Sequence, residues 1–168
     1  MKSISKPLIL ALTGLLLSNN GNANPEIHDF DWRDNRYHNK QANQIEVLSL
    51  ELFGSRLHQD KSDLTILQRL IHKGVIAKND TERLQALGVV LGNVMAKDFG
   101  LEWKIYEDSK GRSRALCTVN TEKTECLFPI TMLSRRISVG ILPDVTSIYN
   151  NAYELIEEHL KKLPYEVD

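Results

Sequence analysis

The hydrophobic period of this chain changes twice, at Gly100 and again at Pro129, and a fold must accommodate both changes. Before Gly100 the apolar residues Leu84, Leu87, Leu91, Val94 and Met95 recur at helical spacing on one stripe. Asn79 followed three residues later by Glu82 fits a capping box that opens this helix. Beyond Gly100 the period drops to two: Leu101, Trp103 and Ile105 alternate with Glu102, Lys104 and Tyr106, the pattern of a half-buried strand. Asp108 to Gly111 is turn chemistry, and Arg112–Val119 and Glu125–Pro129 read as two further strands. The helical period returns with Ile130–Val139, which ends at Gly140. Pro143 then opens a last helix that carries Val145, Ile148, Tyr149, Ala152, Ile156 and Leu160 on one face. The expectation is a single α+β domain: helices, a three-stranded antiparallel meander over 101–129 with one face covered, and two C-terminal helices.

Upstream, residues 24–40 are rich in Asn, Asp, Arg and His and read as a polar lead-in that turns helical near its end. Residues 41–168 then form the domain. Over Gln41–Leu57 the apolar residues surround most of a helical wheel, so that helix needs cover on several sides. A second helix is expected to begin at a Ser62–Asp63 cap, with Leu64, Leu67, Leu70 and Ile71 on one face and Gly74 closing it. Gly88 and Gly92, four apart beside the stripe of the third helix, would let another backbone come close. Glu157 with Lys161 and Glu158 with Lys162 are spaced for weak surface pairs.

The first twenty-three residues have the three zones of a Sec-type signal peptide. Lys2 and Lys6 supply the positive start, Pro7–Leu17 the apolar run, and Gly21 and Ala23 the small residues at positions −3 and −1. Cleavage is expected after Ala23. The apolar run is 11 residues, short of the roughly 20 a spanning helix requires. No cysteine stands near the cleavage zone to accept a lipid, so the mature chain is expected to be periplasmic or secreted, with no membrane insertion. Loss of Lys2 and Lys6 with the leader takes the net charge from −1 to −3. A mildly acidic domain of interspersed signs lacks the electrostatic footprint of a nucleic-acid binder. Cys117 and Cys126 flank a polar turn between two strand-like runs, and an oxidising compartment makes them candidates for a disulfide across a hairpin.

Two constellations carry candidate chemistry. His28, Asp29, Asp31, Asp34 and His38 form the densest polar cluster. On a helix Asp34 and His38 would share a face, so that His28, Asp31, Asp34 and His38 could hold zinc or another first-row metal, the basis of a small metal-dependent hydrolase. The simpler reading is a solvated segment. Neither a nucleophile elbow, nor His-Glu-x-x-His, nor a phosphate-cradling glycine loop is present in the chain, and no cofactor is expected. The second constellation is a surface. Arg112 and Arg114 stand two apart on a strand and point to the same side, and Arg135 and Arg136 lie on the helix after the sheet. Joined by Trp103 or Tyr106, these arginines would make a positive patch of the kind that forms binding hot spots.

Four runs of the sequence carry a family resemblance: Leu87-Gly88-x-x-Leu91-Gly92, Gly100-Leu-Glu-Trp103, Asp108-x-x-Gly111-Arg-x-Arg114, and Phe128-Pro129-x-Thr-Met-x-Ser-Arg135-Arg136. From roughly Leu64 to Tyr149 the chain resembles the bacterial family named domain of unknown function 3806. The resemblance implies a small α+β domain and brings no catalytic residue with it. The cysteine pair and the His/Asp-rich lead-in fall outside the shared pattern. The function expected from the whole sequence is a non-enzymatic periplasmic binding or accessory module that meets a periplasmic or envelope protein. The alternatives are the metal-dependent hydrolase and an immunity-type partner of a secreted toxin.

Overall fold

The computed structural model describes residues 24–119 and 123–160. The leader expected up to Ala23 and the expected Lys161 and Lys162 pairings lie outside the described residues. In chain order the elements are β1 (Glu26–Asp29), α1 (Trp32–Phe53), α2 (Ser62–Lys73), α3 (Thr81–Phe99), β2 (Glu102–Asp108), β3 (Gly111–Cys117), β4 (Cys126–Leu127), α4 (Pro129–Ser138) and α5 (Val145–Ile156). A 3₁₀ turn, Glu157–His159, follows α5. The fold is α+β, with a four-stranded antiparallel sheet in the order β1-β2-β3-β4.

The third helix organises the core. Leu84, Leu87, Val90, Leu91, Val94 and Met95 are all buried, and residues on its other sides are covered as well. A helix apolar round its circumference must be enclosed, and α1, α2, α4 and α5 all pack against α3. Each fully buried Leu, Val or Met contributes about 1.5–3 kcal/mol relative to an exposed one. The two glycines of α3 set how close α4 and the sheet can come. A Cβ on Gly88 would lie 2.5 Å from the Ile130 Cα and the Pro129 carbonyl oxygen. One on Gly92 would lie 2.3 Å from the Trp103 indole.

The sheet presents one row to the helices: Trp103 on β2 pairs with Leu116 on β3, which pairs with Leu127 on β4. Leu116 and Leu127 belong to the core and Trp103 packs against it. The next row, on the opposite face, joins Glu102, Cys117 and Cys126. Cys117 and Cys126 are thus directly opposed, with Cα atoms 4.1 Å apart, and they form the disulfide.

Three local readings are corrected by the structure. The sheet has a fourth strand, β1, because the segment 24–40 is ordered: it pairs Ile27 with Tyr106 and His28 with Ile105, then enters α1 at Trp32. Ile27 is the single apolar residue of β1, too little for alternation to register. The inward positions of early α1 are Asp34 and Gln41, polar residues that leave no hydrophobic stripe. α3 is capped by Asp80, whose carboxylate accepts the Arg83 N–H at 3.1 Å. Glu82 instead accepts from Lys40 at 2.8 Å and Gln44 at 3.1 Å, tying α1 to α3. Asp63 leaves α2 uncapped and accepts the N–H groups of His58 and Gln59 in the loop before it.

Replacing Gly88 by Ala tests the α3–α4 contact. Helix propensity alone favours Ala by about 1 kcal/mol, whereas a clash with backbone in a packed core costs about 1–3 kcal/mol. G88A is therefore expected to lower the urea midpoint, and a raised midpoint would show that the two backbones do not approach this closely.

Candidate functional site

Asp34 is the residue from which the site is built. α1 starts at the N-cap Asp31, whose carboxylate accepts the N–H groups of Arg33 at 2.8 Å and Asp34 at 2.9 Å. The Asp34 carboxylate returns a contact to the Asp31 N–H at 3.3 Å, completing a capping box. That geometry turns Asp34 onto the face of the sheet. There Arg112 donates through Nη2 to Oδ2 at 2.6 Å, and Arg114 donates through Nη2 to Oδ1 at 2.9 Å. The Asp34 side chain is 2% exposed, while Arg112 keeps 44% and Arg114 24%. The two arginines reach one carboxylate because residues two apart on a strand share a face. Arg114 also lies over the Tyr37 ring, 4.0 Å from its centroid, and its Nε is buried without a hydrogen-bond partner.

Outward from this clamp opens a groove of about 510 Å³ between the β3 flank and the start of α4, lined by Tyr37, Tyr106, Arg112, Arg114, Phe128 and Arg135. Tyr106 and Phe128 meet edge to face, with centroids 5.2 Å apart. Lys110 and Asp108 stand in the lining too. Four cationic side chains thus surround the groove against two carboxylates, on a chain whose net charge is −1.

Four of the six residues expected on the binding surface, Tyr106, Arg112, Arg114 and Arg135, line this groove. Arg136 does not: it bonds the Met132 carbonyl of its own helix at 2.5 Å. Trp103 turns to α3, where its indole N–H donates to Asn93 Oδ1 at 3.0 Å. His38 Nε2 meets the same oxygen at 2.8 Å. Since indole only donates, the shared Asn93 atom is an acceptor and His38 must carry its proton on Nε2. Phe30 closes the cluster, 5.9 Å from the His38 ring and 6.1 Å from Trp103. His38 Nδ1 is buried without a partner, and burial pushes the His38 pKa below the ordinary 6.5.

The four residues proposed as metal ligands have separate tasks. His28 is exposed on β1 and sits 3.4 Å from Glu26, Asp31 caps α1, Asp34 is clamped by arginine, and His38 is held by Asn93. Among the described residues no three His, Cys, Asp or Glu side chains are grouped to hold a metal ion. Sequence reasoning missed Tyr37, Phe128 and the role of Asp34. Phe128-Pro129 was visible as a motif, but nothing local marks an exposed-looking Asp as the partner of a strand eighty residues away.

This geometry makes sense of the family markers. Residues 63–149 match the family described as "Domain of unknown function (DUF3806)", and the chain belongs to it. Gly88, Gly92, Trp103, Arg112, Arg114, Phe128 and Arg135 fall inside the match, whereas β1, α1 and Asp34 precede it. Among solved structures, a crystal structure from Bacteroides thetaiotaomicron VPI-5482 superposes with a TM-score of 0.69 at 15% identity, over 82% of this chain and 50% of that one. The likeness is one of fold, and this chain spans about half the length of that protein. No curated protein matches the chain.

Two outcomes are expected from the clamp and the histidine cluster. D34N leaves two guanidinium groups without their carboxylate and should lower unfolding free energy by about 2–3 kcal/mol in denaturant titration. A loss under about 0.5 kcal/mol would mean that the arginines do not depend on Asp34. His38 resists protonation when folded and accepts it when unfolded, so stability is fully present above about pH 6.5 and falls as pH drops towards 5. The fall between pH 7.5 and 5 should be shallower in H38Q; an identical slope would place its source elsewhere.

Proposed function

We propose that this chain is an exported, non-enzymatic binding module. Its leader is removed after Ala23, and the domain works outside the cytoplasm. It contacts another macromolecule of the periplasm or envelope through the groove between β3 and α4. The observation that carries this reading is the gathering of Arg112, Arg114 and Arg135 with Tyr106 and Phe128 around one open groove. Arginine and aromatic side chains bring large contact area and directional hydrogen bonds at low entropic cost, which is why they dominate binding hot spots. The Cys117–Cys126 disulfide agrees with an oxidising compartment. Among the described residues no helix is long and apolar enough to cross a membrane.

Arg135 offers the cleanest test, because it lines the groove and Arg112 and Arg114 are needed to hold Asp34. R135E should melt within about 0.5 kcal/mol of the wild type, as exposed substitutions do. In affinity capture from the envelope fraction of the source cells it should recover at least about ten-fold less of any partner held by the wild type, equivalent to about 1.4 kcal/mol. R56E, a charge reversal at an exposed residue outside the groove, should recover as much as the wild type. Equal recovery by R135E and wild type would refute the groove as the contact surface.

A further inference from the structure

The groove has a strand edge as one wall, and that edge determines what kind of molecule fits. β3 runs for seven residues, but β4 pairs only with its last two, Leu116 and Cys117. One further bond, from the Thr118 N–H to the Glu125 carbonyl, continues the ladder towards the turn. In the other direction β4 stops because Pro129 opens α4: proline has no N–H for a ladder, and its fixed φ suits the first turn of a helix. Gly111–Ala115 therefore pair with β2 on one side and, among the described residues, with no strand on the other. Ala115 is fully buried, so the open flank is the four residues Gly111–Arg114, about 13 Å long.

Open flanks pair readily with other extended chains, and proteins usually blunt them with charged side chains or cover. Here Arg112 and Arg114 are drawn aside onto Asp34 by short bonds, so the charges that would guard the flank are fastened to α1. The groove's two sides also differ in chemistry. Arg112 and Arg114 lie on the face shared with their register partners Glu107 and Ile105, while Ser113 shares the other face with its partner Tyr106. Tyr106 in turn meets Phe128. An added strand would alternate in step, setting every second side chain against guanidinium groups and the others against aromatic rings.

From this we infer that the groove binds an extended peptide segment of alternating acidic and apolar residues, which adds to the sheet as a strand beside Gly111–Arg114. Main-chain hydrogen bonds to the flank supply affinity. Carboxylates meeting Arg112 and Arg135, and apolar side chains meeting Tyr106 and Phe128, supply selectivity. The excess of cationic over anionic side chains in the lining favours an acidic chain and disfavours a basic one. This inference rests on the groove reading above and deepens it by naming the ligand class.

The test uses the ¹⁵N-labelled secreted protein and a capped synthetic peptide, acetyl-Glu-Val-Glu-Val-Glu-Thr-amide, followed by amide chemical shifts. Saturable shifts are expected at Arg112 to Arg114. Methylating the main-chain nitrogens of alternate residues should weaken binding at least about ten-fold, as should exchanging every Glu for Lys, each a loss near 1.4 kcal/mol. R135E should weaken it about five-fold while its spectrum stays folded. Equal binding by both N-methylated registers would overturn strand addition and leave an ionic contact only. Shifts confined to β1, the opposite edge of the sheet, would also overturn it, as would the absence of any binding. In each of those cases the capture experiment with R135E still decides, separately, whether the groove is the contact surface.

Discussion

The Asp34 carboxylate joins three parts of the molecule: the capping box that starts α1, the strand β3 and the groove beyond it. A carboxylate removed from water without a partner costs several kcal/mol, so α1 can dock in this register only where both guanidinium groups await it. The dependence runs both ways. Arg114 is stacked on Tyr37 of the same helix and leaves its Nε buried without an acceptor, an arrangement tolerable because Nη2 is held in a short, charge-assisted bond. The ion pairs therefore set orientation as much as they add stability.

Packing supplies the rest. α3 is enclosed by helices on several sides, and Gly88 and Gly92 let Pro129, Ile130 and the Trp103 indole come nearer than any side chain would permit. Pro129 opens α4 immediately after β4, so β4 is short, and Gly88 leaves room for those first residues of α4. A strand cut off after two residues leaves β3 open along most of its length, and that opening forms a wall of the groove. The groove thus opens where β4 gives way to α4, whose first residues also pack against Gly88.

Residues 63–149 carry the family pattern, and the segment in front of them is fastened to it largely by polar contacts. Tyr37 bonds Gln85 at 3.3 Å, His38 bonds Asn93, Lys40 and Gln44 bond Glu82, and Asp34 bonds the β3 arginines. Deeper along α1 the contacts become apolar at Ile45. A helix docked in this way by its N-terminal half depends on hydrogen-bond geometry, where small displacements carry large penalties, more than on buried area.

Legible in the residues alone were the α+β class, the helices α2 to α4 to within a residue or two, the start of α5, the β2–β3 turn at Asp108–Gly111 and the opposition of Cys117 to Cys126; α5 ends at Ile156, four residues before the Leu160 its apolar face reaches to. Those features follow from local signals: period, turn chemistry, proline at a helix start, and a short loop between strands. The sequence also placed Arg112 and Arg114 on one side of a strand, because strand periodicity requires it. Tertiary structure alone decided what that side faces. α1 begins nine residues earlier than its apolar pattern indicates, since its inward positions there are Asp34, held by Arg112 and Arg114 on β3, and Gln41, whose amide N–H reaches Glu82 on α3. Trp103 could serve a binding surface or a core by pattern, and the space left by Gly92 settled it as core. Hydropathy records what a residue loses by leaving water; it holds no record of the partner that compensates a buried charge, and here that partner is about eighty residues away.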